Sequence, residues 1–204
     1  MHSTITTIFT DIGGVLLTNG WDHLARKQAA EKFKLDYAAI DERHKATFDT
    51  YESGEMTLDE YLDYLVFYQP CSFTKNDFIA FMHQCSQPYN NMIELVKGLK
   101  EKYTVRVVAV SNEGLELNRY RIDTFKLNHF IDFFVSSSFV HMRKPDTRIF
   151  RLALDLAQTP LENIIYIEDR SLFVQAAAKA GITGIVHNNY EGTKMTLEQY
   201  GLQL

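Results

Sequence analysis

Four groups of polar residues stand at or near the ends of apolar runs, and their types suit one chemistry. Asp11 closes the run Ile5-Thr6-Thr7-Ile8-Phe9-Thr10 and is followed by Ile12, Gly13 and Gly14. Ser111-Asn112 closes Val105-Arg106-Val107-Val108-Ala109-Val110. Lys144 precedes Pro145-Asp146, and Glu168-Asp169 closes Asn163-Ile164-Ile165-Tyr166-Ile167. Two or three carboxylates without thiols or imidazoles suit a hard cation such as Mg²⁺. A lysine beside a hydroxyl and exposed backbone N–H groups suits a phosphoryl group. A carboxylate nucleophile, a metal and a cationic clamp together describe phosphoryl transfer through an aspartyl-phosphate. Each group alone has an ordinary alternative: Asp11 as a turn cap, Ser111-Asn112 as a helix cap, Lys144-Pro145 as a surface dipeptide, Glu168-Asp169 as a solvated turn. Their joint order favours the chemistry.

The elements that must bring these groups together are legible in the hydrophobic pattern. The first run, rich in Ile, Thr and Phe, suits a buried strand, and the paired glycines let the backbone turn sharply beside a ligand. Asp11 then stands at the C-terminal end of a first strand, where open α/β sheets place their ligand crevice. After Leu16 the pattern is helical for about seventy residues, with segments at 22–33, 38–51 and 74–85. A further helix starts at Thr57, where Thr57-Leu58-Asp59-Glu60 has the capping-box spacing. Leu58, Tyr61, Leu62, Leu65 and Val66 fall on one face of it.

From Pro88 strands and helices alternate. A helix capped by Asn90 or Asn91 carries Ile93, Val96 and Leu99; strands follow at 105–110, near 133–135, at 163–167 and at 183–186. Between them lie a helical stretch after Asn112, a helix with Ile149, Phe150, Ala153, Leu154 and Ala157 on one face, and an Ala-rich helix capped by Ser171 and stopped at Gly181. This alternation predicts an α/β fold with a parallel sheet covered by helices on both faces. All C-terminal strand ends then share one edge, where Asp11, Ser111, Lys144 and Glu168-Asp169 converge. The expected organisation is a core of residues 1–17 and 89–204, with residues 18–88 inserted as a helical cap over that edge.

The 204 residues are 46% hydrophobic and 13% aromatic, enough for one sizeable domain with a smaller insertion. A net charge of -5 with mixed signs argues against a nucleic-acid binder and leaves room for a small anionic substrate at a local site. Cys71 and Cys85 lack C-x-x-C spacing, which favours a reducing compartment, and the histidines lack zinc-ligand spacing. No charged-then-apolar leader opens the sequence, and no apolar run approaches the roughly 20 residues of a membrane span. These features lead us to expect a soluble, cytoplasmic monomer or homodimer.

The same residues resemble the haloacid dehalogenase-like (HAD) hydrolase superfamily over essentially the full length. That family has a Rossmann-like sheet with a helical cap inserted after the first strand. Its D-x-D-G-[VT] motif is matched by Asp11-Ile12-Gly13-Gly14-Val15 except at Gly13. Its Ser/Thr, Lys and acidic-pair motifs are matched by Ser111-Asn112, Lys144-Pro145 and Glu168-Asp169. The resemblance implies Asp11 as nucleophile and Mg²⁺ ligand, with the Gly13 carbonyl and Asp169 as further ligands and Glu168 acting through water or on Asp169. It also implies that Ser111, the Asn112 backbone N–H and Lys144 hold the phosphoryl oxygens, with Gly14 turning the chain beside them and binding the phosphate as well.

Gly13 is the departure. Most phosphatases of the family carry a second Asp there, whose acid–base help is typically worth about 10²–10⁴ in rate. Three explanations compete: a substrate with a good leaving group, a 2-haloacid dehalogenase attacking carbon with Asp11, or a fold kept for binding. The segments 51–57 and 142–146 are similar to the branch containing bacterial α-D-glucose-1-phosphate phosphatase. That branch also has Gly at this place, and its anomeric hydroxyl leaves readily. Glu52-Ser53-Gly54 would then be a cap loop at the substrate, or else a plain turn. Trp21 and His23 would line the pocket, unless Trp21 packs between cap and core. A metal-free dehalogenase would leave Glu168-Asp169 beside Asp11 without a cation, a costly arrangement of like charges. A Mg²⁺-dependent phosphatase of a small phosphorylated metabolite, most simply a sugar phosphate, is the expectation.

Overall fold

The computed structural model describes residues 4–204; the leader-free reading of residues 1–3 lies outside them. Strand β1 (Thr7–Thr10) leads into four helices, α1 (His23–Phe33), α2 (Tyr37–Glu52), α3 (Leu58–Leu65) and α4 (Lys75–Gln84). Then follow α5 (Asn90–Tyr103), β2 (Arg106–Ser111), α6 (Leu115–Thr124), β3 (Phe133–Ser136), α7 (Ser137–Val140) and α8 (Thr147–Ala157). The chain ends with β4 (Ile164–Glu168), α9 (Ser171–Lys179), β5 (Thr183–Val186) and α10 (Tyr190–Gln199).

All strand pairs are parallel, in the order β3-β2-β1-β4-β5. Side chains alternate across the sheet, so each strand feeds two cores. Ile8, Val107, Ala109, Ile165 and Ile167 pack with Val96 and Leu99 of α5 and Leu197 of α10. Phe9, Val108, Val110, Ile164 and Tyr166 pack on the other face with Ile149 and Phe150 of α8 and Ala176 and Ala177 of α9. Burial on both faces is why these strands read as continuous apolar runs.

Helices α1–α4 build a third cluster around Trp21, Tyr61, Leu62, Phe78 and Met82. Capping boxes start α3 at Thr57 and α4 at Thr74. The chain enters and leaves this helical block side by side. Leu17 forms an antiparallel bridge with Pro88, Thr18 N–H donates to Gln87 O, and Tyr89 N–H donates to Leu16 O. That last bond explains one correction. Tyr89, not Asn90 or Asn91, holds the N-cap place of α5, because the helix begins directly after the crossing. Ser171 does not cap α9 either; Arg170 takes the place, and its N–H goes to Glu168 Oε1. Helices α7 and α10 have no counterpart in the sequence reading. Both cysteines are free, and among the described residues no helix is long and apolar enough to cross a membrane.

Candidate active site

Sheet register brings the predicted groups together. Thr10 pairs with Ala109 on one side and Ile167 on the other, so Asp11 comes level with Val110 and Glu168. Asp11 N–H still donates to Ile167 O, and Ile12 N–H donates to Asp11 Oδ1 at 2.8 Å. The carboxylate is therefore fixed at the strand end. Ser111, one residue further along β2, keeps its Oγ buried beside Asp11, where its hydroxyl helps hold the carboxyl down.

Lys144 is fully buried, and its ammonium spends all three donors inside the site. It lies 3.1 Å from Asp11 Oδ2 and 2.5 Å from Glu168 Oε2, and it donates to Tyr166 OH at 3.0 Å. Tyr166 OH in turn donates to Glu168. Asn112 anchors the lysine by its backbone, donating to Lys144 O and accepting from Lys144 N–H. The Asn112 side chain thus positions Lys144, a role its sequence position did not announce. Arg143, just before it in the chain, ion-pairs with Asp49 and Glu52 of α2 and ties this loop to the helical block.

Negative charge is in excess here. Asp11, Glu168 and Asp169 each place one carboxylate oxygen within 4.8 Å of the others. Burial and then the Glu168 charge push the Asp11 carboxyl from 3.8 up to about 6, with Lys144 pulling the other way. Burial pulls the Lys144 ammonium down, but Asp11 and Glu168 outweigh it and hold it above its ordinary value. Asp169 Oδ1 is buried without a partner. Oxygen donors only, an orphaned carboxylate oxygen and uncompensated negative charge fit a hard divalent cation.

Glu168 spends both oxygens within the protein, on Lys144 and Tyr166 with one and on Arg170 N–H with the other. Its geometry is that of the partner that holds Lys144. Gly14 also differs from expectation: its N–H donates to Leu17 O at 2.7 Å and so is spent before any phosphate arrives. What requires glycine is close approach. At φ +78°, a Cβ on Gly14 would lie 2.2 Å from Asp169 Oδ2. Gly13 faces the other way, and a Cβ there would stand 3.2 Å from Asn19 Oδ1 and 3.7 Å from Arg121 Nη1.

Arg121 went unnoticed in the sequence. Buried on α6, it reaches past Gly13 to Glu113 at 2.5 Å, to Ser86 Oγ and to Thr18 O. It thereby stitches both crossing strands to the core. Burial pushes the Glu113 carboxyl up to about 7, against the pull of Arg121. One signal was available: Leu117 and Arg121 are four apart on a helix, which puts the arginine on the buried stripe.

A cavity of 360 Å³ opens between Asp11, Ser111 and Glu113 on the core side and Trp21, His44 and Tyr51 on the helical side. Trp21 packs against Phe78 within the helical block, and both Trp21 and His23 line the cavity. Of Glu52-Ser53-Gly54 only Glu52 lines it. Ser53 O accepts from the His141 ring, and Gly54 packs on the Ser138 carbonyl, so that turn docks the helices on α7. A larger cavity of 730 Å³ lies at the opposite strand ends, by Thr7 and Arg106, away from every group named above.

The fold is a Rossmann-like α/β sheet with a helical insertion after its first strand. The sequence matches the haloacid dehalogenase-like hydrolase family over residues 25–187, and the chain belongs to that family. No curated protein sequence matches it. It is similar to the magnesium complex of a HAD family enzyme from Bacteroides thetaiotaomicron, at TM-score 0.76 and 21% identity over 90% of this chain and 93% of that one. It is equally similar to a predicted HAD-like family hydrolase from Porphyromonas gingivalis, at TM-score 0.76 and 19% identity over 99% and 100% of the chains. A dehalogenase is also similar, at TM-score 0.65 and 18% identity over 90% and 85%.

Proposed function

We propose that this protein is a Mg²⁺-dependent phosphatase acting on a small phosphorylated metabolite, a sugar phosphate such as glucose 1-phosphate. The observation that carries it is the buried Asp11–Lys144–Glu168 arrangement, with Ser111 Oγ against Asp11 and Asp169 Oδ1 left unpartnered beside it. Asp11, Asp169 and the Gly13 carbonyl would hold the ion, with Glu168 behind them. When bound, Mg²⁺ supplies the positive charge that ionises Asp11 and neutralises phosphoryl oxygens.

Asp11 attacks phosphorus in line while Lys144, turning the donor it now gives Asp11 to the phosphoryl group, and Ser111 hold the equatorial oxygens, and the alkoxide leaves. Water then hydrolyses the aspartyl-phosphate and regenerates Asp11. Gly13 offers no proton to the leaving group, which favours an anomeric oxygen over an ordinary alcohol. The helical block, taken as residues 18–88, covers the site during turnover. The nearest rival is a 2-haloacid dehalogenase, favoured by Gly13 alone and opposed by the surplus of carboxylates that a metal-free site would leave beside Asp11.

The test is product release from p-nitrophenyl phosphate, glucose 1-phosphate, glucose 6-phosphate and 2-chloropropionate, each with Mg²⁺ and with EDTA. Phosphate release that needs Mg²⁺ is expected. Chloride release in EDTA would overturn the proposal in favour of the dehalogenase, and no turnover of any compound would leave a binding role.

A further inference from the structure

The helical side of the cavity contains a hydrogen-bond chain that no catalytic step uses. Trp21 Nε1–H, which can only donate, donates to Tyr61 OH at 2.9 Å. Tyr61 OH lies 2.7 Å from His44 Nδ1. Tyr61 is fully buried, and among the described residues its oxygen has no acceptor other than that imidazole nitrogen. If His44 donated from Nδ1, the phenolic proton would be buried unpaired, at a cost of about 1–3 kcal/mol. So Tyr61 donates to Nδ1, and the ring proton sits on Nε2. The His44 ring stacks on Phe48, the residue lines the cavity, and among the described residues Nε2 has no partner.

We propose that Trp21 and Tyr61 lock His44 as a neutral Nε2–H donor that selects a substrate carrying a hydroxyl oxygen beyond its phosphoryl group. This rests on the phosphatase reading and names the feature by which the site would choose among phosphate esters. His44 is the residue that touches substrate; Tyr61 and Trp21 are positioning residues. A hydroxyl suits this donor better than a carboxylate. Burial and the Arg26 charge bring His44 down to about 4, with Lys45 and Arg143 adding to them against Asp41 alone. The ring therefore stays uncharged and offers a carboxylate no ion pair.

Two measurements test it. Ring ¹⁵N shifts of His44 from pH 5.5 to 8 should show one neutral tautomer protonated at Nε2, and Tyr61→Phe should mix the tautomers. A proton on Nδ1, or a cationic ring in that range, overturns the lock, whatever the enzyme's activity. In kinetics, His44→Phe should lower kcat/KM for glucose 1-phosphate relative to p-nitrophenyl phosphate by about two- to thirteen-fold, the effect of one neutral hydrogen bond. Equal losses on both, or a larger relative loss on phosphoglycolate, would overturn hydroxyl selection. A wild-type protein that releases phosphate from none of these esters would instead overturn the phosphatase reading, and hydroxyl selection with it. The ¹⁵N result is read without turnover, so the two failures are distinguishable.

Discussion

Asp11→Asn separates the charge of the nucleophile from its shape. Without metal, the Asp11 carboxyl stands at about 6 against an ordinary 3.8, a difference worth roughly 3 kcal/mol at 1.36 kcal/mol per unit. The sign follows from linkage. Because the folded-state value is raised, the folded protein favours the protonated form. That stability is fully present below 3.8 and is lost as pH rises through about 6. At pH 7.5 the wild type therefore bears the whole penalty, and Asn, which copies the neutral carboxyl, bears none. In EDTA at pH 7.5 the variant should be more stable by up to about 3 kcal/mol in urea, or roughly 6–12 °C in Tm for a chain of this size. At pH 4.5 the gap should shrink to about 1 kcal/mol. Mg²⁺ at one hundred times its Kd should return about 2.7 kcal/mol to the wild type and much less to the variant. Phosphate release should be abolished in the variant. A variant no more stable than wild type at pH 7.5, or a gap unchanged at pH 4.5, would refute the claim that surplus buried charge is what the cation answers.

Asp169→Asn should weaken Mg²⁺ by at least about tenfold in a calorimetric titration, since even outer-sphere partners cost that much. Its metal-free stability should hold or improve, and a large loss would mark Asp169 as structural. Gly13→Asp should not raise activity on poor leaving groups. The new Cβ stands 3.7 Å from Arg121 Nη1, so the carboxylate pairs with that guanidinium and cannot give up a proton; a tenfold gain on an alkyl phosphate would contradict this. Arg121→Met should cost about 3–5 kcal/mol in chemical denaturation at pH 8, because it strands the buried Glu113 carboxylate. With the folded Glu113 value raised further above its ordinary one, the loss should shrink on acidification, and a pH-independent loss would point to packing instead.

How far the sequence reaches into this site depends on the kind of interaction. Strand ends were legible because apolar runs stop at Asp11, Ser111 and Glu168, and because parallel pairing sends every such end to one edge. The two-sided core follows from the same runs. Helix caps were legible where side chain and backbone are neighbours, as at Thr57, and illegible where a distant bond decided, as at Tyr89, whose N–H answers Leu16. Long-range polar pairing was the least visible. Glu168 read as acting on the metal through water or on Asp169, and nothing in the sequence announced that its oxygens also bind Lys144, Tyr166 and Arg170 N–H. Ser53 and Gly54 read as either a cap loop at the substrate or a plain turn, and only the fold shows that this turn docks the helices on α7.

The two glycines after Asp11 part company for the same reason. Gly14 is demanded by a neighbour from β4, since any side chain there would displace Asp169. Gly13 has no such exclusion: its φ is ordinary, and a Cβ would meet only the Asn19 side chain closely. Sterics therefore do not explain the missing second Asp. Electrostatics does. The space beyond Gly13 holds Arg121, already paired with Glu113 and bonded to Thr18 O and Ser86 Oγ on both crossing strands. A carboxylate at position 13 would draw that guanidinium away from Glu113 and leave a buried acid unpaired. A structural arginine thus occupies the space into which a second acid at position 13 would reach, and on the proposed phosphatase reading the leaving group parts without a proton from that position. Within that proposal the missing acid favours an anomeric leaving oxygen, and the proposed donor at His44 favours a substrate with a further hydroxyl.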